Sequence, residues 1–441
     1  MQTDLNETYA AILKNLNIKA LNPMQMEVIE KSVNNDNLTV LAPTGSGKTL
    51  AFLIALLKQL SPEDPGVQAL IVTPSRELAL QIETVFRGMK TGFKVSCLYG
   101  GHSVQTEMNS LSEMPAVIIG TPGRLADHLH RDSFDLSTVK VIVLDEFDKS
   151  LQLGFHNELA KIFKALSGKQ QHLLISATNL EELPKFLPFT NHQTVDFLQN
   201  TKAIKLKVKL VRTESTEKPE TLMRLVAGFN QEVTLVFCNH IDAVERLSGL
   251  LKRHDFEHGV FHGDLEQVDR EKNLIRFRGG ATNVLIATDL AARGLDIPEI
   301  KHIVHYQLPH QLDAYLHRNG RTARMHAEGQ AYLILASDEK LQPYMDRHME
   351  EMTVHPQLKL PPAPGYVCLY ISAGKKEKIN KGDILGLLTK KGGLQGNEIG
   401  LITTLDHASY VAVKRNVVGK LLAAIKDERV KKLKVKIEVA K

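Results

Sequence analysis

Short β-branched and aliphatic runs alternate along the chain with stretches whose apolar residues recur at helical spacing. In the first part, LTVLA (38–42), ALIVTP (69–74), VSCLYG (95–100), AVIIGTP (116–122), VIVLDE (141–146) and HLLISAT (172–178) predict strands. TLAFLIALLKQL (49–60) and RELALQIETVFRGM (76–89) predict helices between them. Such alternation predicts a parallel sheet covered on both faces. A charged, weakly patterned stretch from Asn191 to Glu220 interrupts it, and the pattern restarts with TLVFCN (234–239), NVLIATD (283–289), HIVHYQLP (302–309) and QAYLILA (330–336), a second α/β domain. HPQLKLPPAPG (355–365) holds four prolines and reads as a stiff, extended linker. Beyond it, YVCLYIS (366–372), KGDILGLLTK (381–390), IGLITT (399–404), SYVAVKR (409–415), VVGKLLAAIK (417–426) and KLKVKIEVA (432–440) predict a compact βαββαβ unit. The expected divisions are a domain over 1–200, a second over 201–350, a linker over 351–365 and a module over 366–441.

A chain of 441 residues exceeds a single core, in keeping with that division. With 43% hydrophobic and 24% charged residues the composition is that of a globular protein. No apolar run approaches the length of a membrane span, and the start, MQTDLNETYA, lacks the basic-then-apolar pattern of a secretion signal, so a cytoplasmic location and no membrane partner are expected. Cys97, Cys238 and Cys368 are too scattered for a disulfide framework or a cysteine zinc site. The formal charge of +5 is uneven. From Tyr366 onward 16 Lys and Arg face 7 Asp and Glu, a net of +9, which leaves the first 365 residues at −4. Such asymmetry suggests a separate module that faces a polyanion.

The end of VIVLDEFDKS gathers Asp145, Glu146 and Asp148, carboxylates that repel one another unless they are solvated or share a cation. On its own this is as well read as a solvated corner. APTGSGKT supplies the cation: the turn Thr44, Gly45, Ser46 and Gly47 directs backbone amides at an anion, Lys48 reaches outer phosphates, and the Thr49 hydroxyl ligates magnesium at a helix N-terminus. Ala42 replaces the first glycine of the general phosphate-loop pattern. Asp145 then holds the magnesium and Glu146 orients the attacking water of ATP hydrolysis. In HRNGRTAR, Arg321 and Arg324 are three apart; on a helical turn they share a face and reach a γ-phosphate as arginine fingers, the plainer alternative being a solvated basic turn.

These motifs fall in a longer series. NPMQ, APTGSGKT, PSRELA, Gly100-Gly101, TPGR, DEFD, SAT, VFCN, HGDLEQVDR, ATDLAARGLD and HRNGRTAR follow one another in order, and with them the chain resembles the DEAD-box RNA helicases. The resemblance implies two RecA-like parallel-sheet domains in tandem, with ATP and Mg2+ as cofactors and RNA as partner. It further implies that Gln25 reads adenine, Asp296 touches ribose, and Ser176, Thr178 and His317 couple ATP to RNA. Arg76, Gly101, Thr121, Arg124, Gly263 and Thr288 would grip the RNA backbone, which fixes position without reading sequence. The implied activity is local strand separation.

Several positions depart from the family pattern: Phe147 stands for alanine, Asn22 for threonine, Asn17-Ile18 for a glycine-aromatic pair, and Asn319 and Ala323 for isoleucine and glycine. Tyr9 is the N-terminal ring that could stack on adenine. The last segment, with Lys375, Lys376, Lys378, Gly382 and Asp383, resembles the DbpA-type RNA-binding domain, an RRM-like unit that implies targeting to large-subunit ribosomal RNA during subunit assembly. From its residues alone it is a small α/β fold with a lysine-rich face, and Tyr366, Tyr370 and Tyr410 more often fill a core than stack on bases. An ATP-gated RNA clamp with slow turnover is the main alternative. A DNA-translocating helicase is the other, against which the RNA-like module argues.

Overall fold

The computed structural model describes residues 2–35, 37–43, 45–178, 182–189, 192–198, 206–289, 300–322, 329–355, 357, 361–426 and 428–440. They form two compact bodies, one from residues up to 204 and the other from residues beyond it.

In the first body, β1 (Asn37–Leu41), β2 (Ala69–Val72), β3 (Val95–Leu98), β4 (Val117–Gly120), β5 (Val141–Leu144), β6 (Gln171–Ser176) and β7 (Gln193–Asp196) form a parallel sheet in the order β3-β4-β2-β5-β6-β1-β7. Both faces are buried, as near-continuous aliphatic runs require. Ile71, Val143 and Leu173 point to one face, where Phe52 and Leu53 of helix Lys48–Leu57 cover them; Leu70, Ile142 and Leu174 point to the other, with Leu159 and Ile162 of helix His156–Ala165. Phe147 joins this second core, fully buried. The larger ring in the carboxylate motif therefore fills the core beneath helix His156–Ala165. Every strand presents its carboxyl end to the same edge, where ligands of open parallel sheets bind. Tyr9 packs against the first core with the Lys58 ammonium 5.9 Å over its ring, and burial raises its hydroxyl pKa. The ring that could stack on adenine is thus partly buried against the core.

The second body holds β8 (Lys207–Thr213), β9 (Thr234–Cys238), β10 (Gly259–Phe261), β11 (Val284–Thr288), β12 (His302–His305), β13 (Gln330–Ala336) and β14 (Glu350–Glu351), again parallel, in the order β10-β11-β9-β12-β13-β8-β14. Strand β8 lies in the stretch that sequence patterning left unassigned. Its KVKLVRT buries Leu210 and Val211 while Lys207 and Arg212 reach solvent, so charge masks the apolar pair.

The same body continues into a four-stranded antiparallel sheet, β16 (Ile399–Thr404), β17 (Ser409–Lys414), β15 (Tyr366–Ile371) and β20 (Ile437–Val439) in that order. Helices Lys381–Lys390 and Val418–Ala424 cover one face, with Val367, Leu369, Ile371, Ile384, Leu388, Val411, Val413 and Leu421 as core. The run expected as one final strand is split: Leu433–Lys434 (β19) pairs with Arg429–Val430 (β18) in a small hairpin, and β20 alone joins the sheet. Among the described residues no helix is long and apolar enough to cross a membrane.

Candidate functional site

At the carboxyl edge of the first sheet, Gly45 and Gly47 take left-handed conformations, φ +84° and +86°, that open the loop between β1 and helix Lys48–Leu57. Lys48 Nζ donates to the carbonyls of Ala42 and Pro43 in that loop. Asn22 and Gln25 form a reciprocal cap on helix Pro23–Asn34, each side chain accepting from the other's backbone N–H at 2.9 Å. Their amide groups then point into the loop: Asn22 Nδ2 donates to Ser46 O at 2.8 Å and Gln25 Nε2 to Gly47 O at 3.1 Å. The asparagine that departs from the family pattern thus ties the start of helix Pro23–Asn34 to the phosphate loop. A Cβ on Gly47 would collide with Gln25 Nε2.

Asp145 follows β5, buried, and accepts from the Glu146 backbone N–H at 3.0 Å. Glu146 itself is left-handed, φ +46°, a strained position that turns its side chain out of the strand direction. Burial pushes the Asp145 carboxyl up to about 7; Glu146 adds to the shift and Lys48 opposes it. A dication beside it would reverse that logic and favour the carboxylate. Thr49 and Asp145 are the residues that would supply protein oxygens to a magnesium ion on a nucleotide, which takes few protein ligands. From the neighbouring strand end, Ser176 Oγ donates to Thr178 O at 2.6 Å, and Thr178 Oγ1 donates to Asp148 Oδ2 at 3.0 Å, which joins the SAT segment to the carboxylate motif. Asp148 also faces the buried Lys149 ammonium at 3.5 Å.

The glycine loop after β3 is held by a residue that sequence reasoning passed over. Glu107, in helix Val104–Leu111 and buried, accepts from Tyr99 N at 2.8 Å and pairs with His128 Nε2 at 2.7 Å, His102 Nε2 at 3.1 Å and Arg124 Nε at 3.3 Å. Arg124 also donates to Tyr99 O and His102 O, at 3.2 and 2.9 Å, so its guanidinium ties both ends of the loop. Gly101 needs its hydrogen twice over: φ is +101°, and a Cβ would strike the Arg76 guanidinium. Thr121 begins helix Pro122–His130 beside them. Although burial pushes the Glu107 carboxyl up, the bonds from His102, His128 and Tyr99 and the charge of Arg124 bring it down to about 2. A depressed value means that this stabilisation is complete above the ordinary pKa of 4.5 and is lost as pH falls toward about 2. Glu107→Ala is expected to raise the RNA concentration for half-maximal ATPase stimulation by about tenfold, with the ATP requirement unchanged. An unchanged RNA titration would contradict this role. An acidic residue six positions after a glycine pair was the only sequence signal, and it reads equally well as a solvated helix face.

In the second body, Arg318 is 1% exposed, its guanidinium paired with Asp289 at 2.6 and 2.7 Å, Asn239 Oδ1 at 2.6 Å and Gln307 O at 2.6 Å, 5.1 Å from the Phe237 ring. VFCN, ATDL and HRNGR thereby meet at one buried cation. Asn319, unusual for the family, accepts from His305 Nε2 at 2.9 Å; burial, with Arg318 beside it, lowers the His305 pKa to about 3 and keeps the ring neutral. Helix Leu312–Asn319 carries His317 and stops before Arg321, which lies buried in the following turn rather than on the expected helical face. Thr288 ends β11, and a Cβ on Gly263 would meet nothing within 4 Å. Thr44, Asp296, Ala323 and Arg324 lie outside the described residues.

In the C-terminal module, the turn after β15 is locked by Lys375 N and Lys376 N donating to Leu405 O and Asp406 O, each at 2.8 Å, while the Lys375, Lys376 and Lys378 side chains are exposed. Gly374 allows this, since a Cβ there would overlap those carbonyls.

Residues 22–186 match the DEAD/DEAH box helicase family, 217–326 the helicase conserved C-terminal domain and 368–439 the DbpA RNA binding domain. The Escherichia coli protein "ATP-dependent RNA helicase DbpA" is 32% identical over 97% of this chain and 96% of its own. Its Bacillus subtilis namesake is 28% identical over 95% and 94%. Among solved structures, S. cerevisiae Dbp5 bound to RNA and ADP BeF3 superposes with a TM-score of 0.68 at 26% identity, covering 78% of this chain and 93% of that one. Mss116p bound to ssRNA and AMP-PNP gives 0.68 at 26% identity, over 78% and 77%. Phosphate loop, carboxylate motif, SAT link and arginine motif stand in two RecA-like sheets followed by a matching RNA-binding domain, and the chain belongs to the DEAD-box ATP-dependent RNA helicases.

Proposed function

We propose that this helicase separates short duplexes in large-subunit ribosomal RNA during subunit assembly, in the cytoplasm, and that its C-terminal module selects the RNA. The observation that carries this reading is the exposed Lys375, Lys376 and Lys378 on a locked turn of a +9 module with a DbpA-type match. In this reading Gly45, Ser46 and Gly47 cradle the phosphates with Thr44, Lys48 binds the outer ones, and Thr49 and Asp145 hold Mg2+. Bound there, the ion supplies neutralisation of the phosphate oxygens. Gln25 reads adenine and Asp296 the ribose. Glu146 orients the attacking water, and Arg321 and Arg324 meet the charge that develops on the γ-phosphate. Arg76, Gly101, Thr121, Gly263 and Thr288 hold the RNA backbone, Arg124 acts through the loop it ties, and Ser176, Thr178 and His317 couple the two ligands.

Replacing Lys375, Lys376 and Lys378 together by alanine tests the targeting. The slope of log affinity against log salt for a ribosomal RNA fragment should become shallower by about 2 to 3, since each lysine releases about 0.9 counterion on a duplex. Stimulation by unrelated RNA should persist. An unchanged slope and unchanged preference for the fragment would place targeting elsewhere.

A further inference from the structure

Arg318 and Asn319 close helix Leu312–Asn319, and the turn that follows hangs from their carbonyls: Arg321 N donates to Arg318 O at 3.1 Å and Thr322 N to Asn319 O at 3.2 Å. Beyond the turn, the Thr322 hydroxyl donates to Ile300 O. Whatever sets the last two residues of the helix therefore sets Arg321. Asp289, Asn239 and Gln307 set Arg318. Asn319 is tied to His305, the last residue of β12, whose Nε2 donates to Asn319 Oδ1 at 2.9 Å.

The chemistry at this pair is specific. His305 is fully buried, and its Nδ1 faces Arg318 Nη1 at 3.5 Å. A guanidinium only donates, so the nitrogen toward it carries the lone pair and the other carries the proton. Asn319 supplies the acceptor which that tautomer requires. Isoleucine, the residue of the family pattern at 319, would leave the Nε2 proton buried without an acceptor. A carboxylate would draw a second proton onto the ring and set two cations side by side. An amide does neither. The inner face of the helix is held separately: the Tyr315 ring packs 5.3 Å from that of His305 and 5.8 Å from that of Tyr344, whose hydroxyl donates to Pro309 O. The domain should therefore keep its fold when the His305–Asn319 bond is broken.

We infer that His305 and Asn319 are a positioning pair for ATP hydrolysis: the bond between them locks the end of the arginine helix onto β12 and so aims the turn that carries Arg321. The inference rests on the reading in which Arg321 meets the γ-phosphate. His305 lies fully buried and acts through the helix end, not on the nucleotide. A misplacement of about 1 Å costs a reacting group on the order of 10²-fold. With the Arg318 cage still in place, loss of the pair should shift the turn by less than that and cost about tenfold.

ATPase kinetics of the intact chain at saturating RNA test the pair. Asn319→Leu and His305→Leu should each lower kcat about tenfold, with the KM for ATP and the RNA concentration for half-maximal stimulation within about twofold of native. The double substitution should be no slower than the slower single one, since the two residues act as a unit. His305→Gln should keep kcat within about threefold of native, because its amide can donate to Asn319 and accept from Arg318 as the neutral ring does. In an Arg321→Ala background, Asn319→Leu should cost nothing further. Native kcat in both leucine variants would overturn the pair. A rise of KM and RNA requirement in step with the loss of kcat, or an equal loss in His305→Gln, would reduce it to a structural contact and overturn it too. So would a further tenfold loss in the Arg321→Ala background, which would show a route other than Arg321. Arg321→Ala at the native rate would sink the finger reading and the pair's aim with it, whereas native leucine variants beside a slow Arg321→Ala would sink the pair alone.

Discussion

Glu146→Gln is expected to lower ATP turnover by on the order of 10²–10⁴-fold while ATP and RNA still bind. The glutamine keeps the size of the side chain and the left-handed backbone that places it, but an amide cannot take a proton from water. Asp145, Thr49 and Lys48 are untouched, so nucleotide affinity should hold. If RNA release follows hydrolysis, as the proposed cycle has it, RNA should then remain bound with ATP. Rapid-quench measurement of ATP cleavage checks the first part and RNA dissociation the second. Native turnover in the variant would remove the role given to Glu146, and a native chain already as slow as the variant would favour the clamp alternative.

Arg321→Ala is expected to cut hydrolysis by on the order of 10³-fold at saturating ATP. Arg318, the first arginine of the motif, has its guanidinium fully engaged by Asp289, Asn239 and Gln307 and so cannot also serve a phosphate. In the proposed reading Arg321 and Arg324 take that task, and the Arg321 backbone N–H is bonded to Arg318 O at 3.1 Å, directly behind this buried cation. Single-turnover kinetics separate binding from cleavage. A loss of ATP affinity with turnover intact at saturation would contradict the finger role.

The parallel sheets were legible because their strands, buried on both faces, are aliphatic runs that end in motif residues. The phosphate loop and carboxylate motif were legible for a related reason, since glycine, lysine and acid at fixed spacing have few other uses. Strand β8 escaped because Lys207, Lys209 and Arg212 interrupt its apolar residues. Glu107 escaped because its partners, Tyr99, His102, Arg124 and His128, lie on other elements that only the fold gathers. Asn22 and Asn319 looked like losses beside the family pattern; each gains a partner, the phosphate loop for one and His305 for the other. Tyr410, and Tyr370 beside it, pack instead of standing free, and what they pack against belongs to the neighbouring domain, which no local pattern encodes.

Steady-state ATP hydrolysis by the intact chain, measured with a large-subunit ribosomal RNA fragment, an unrelated RNA and a DNA of equal length, decides whether RNA, and which RNA, drives turnover. Strong stimulation by the ribosomal fragment, weak stimulation by the unrelated RNA and background turnover with DNA are expected. Equal stimulation by DNA, or none by either RNA, would contradict an RNA helicase targeted through its C-terminal module.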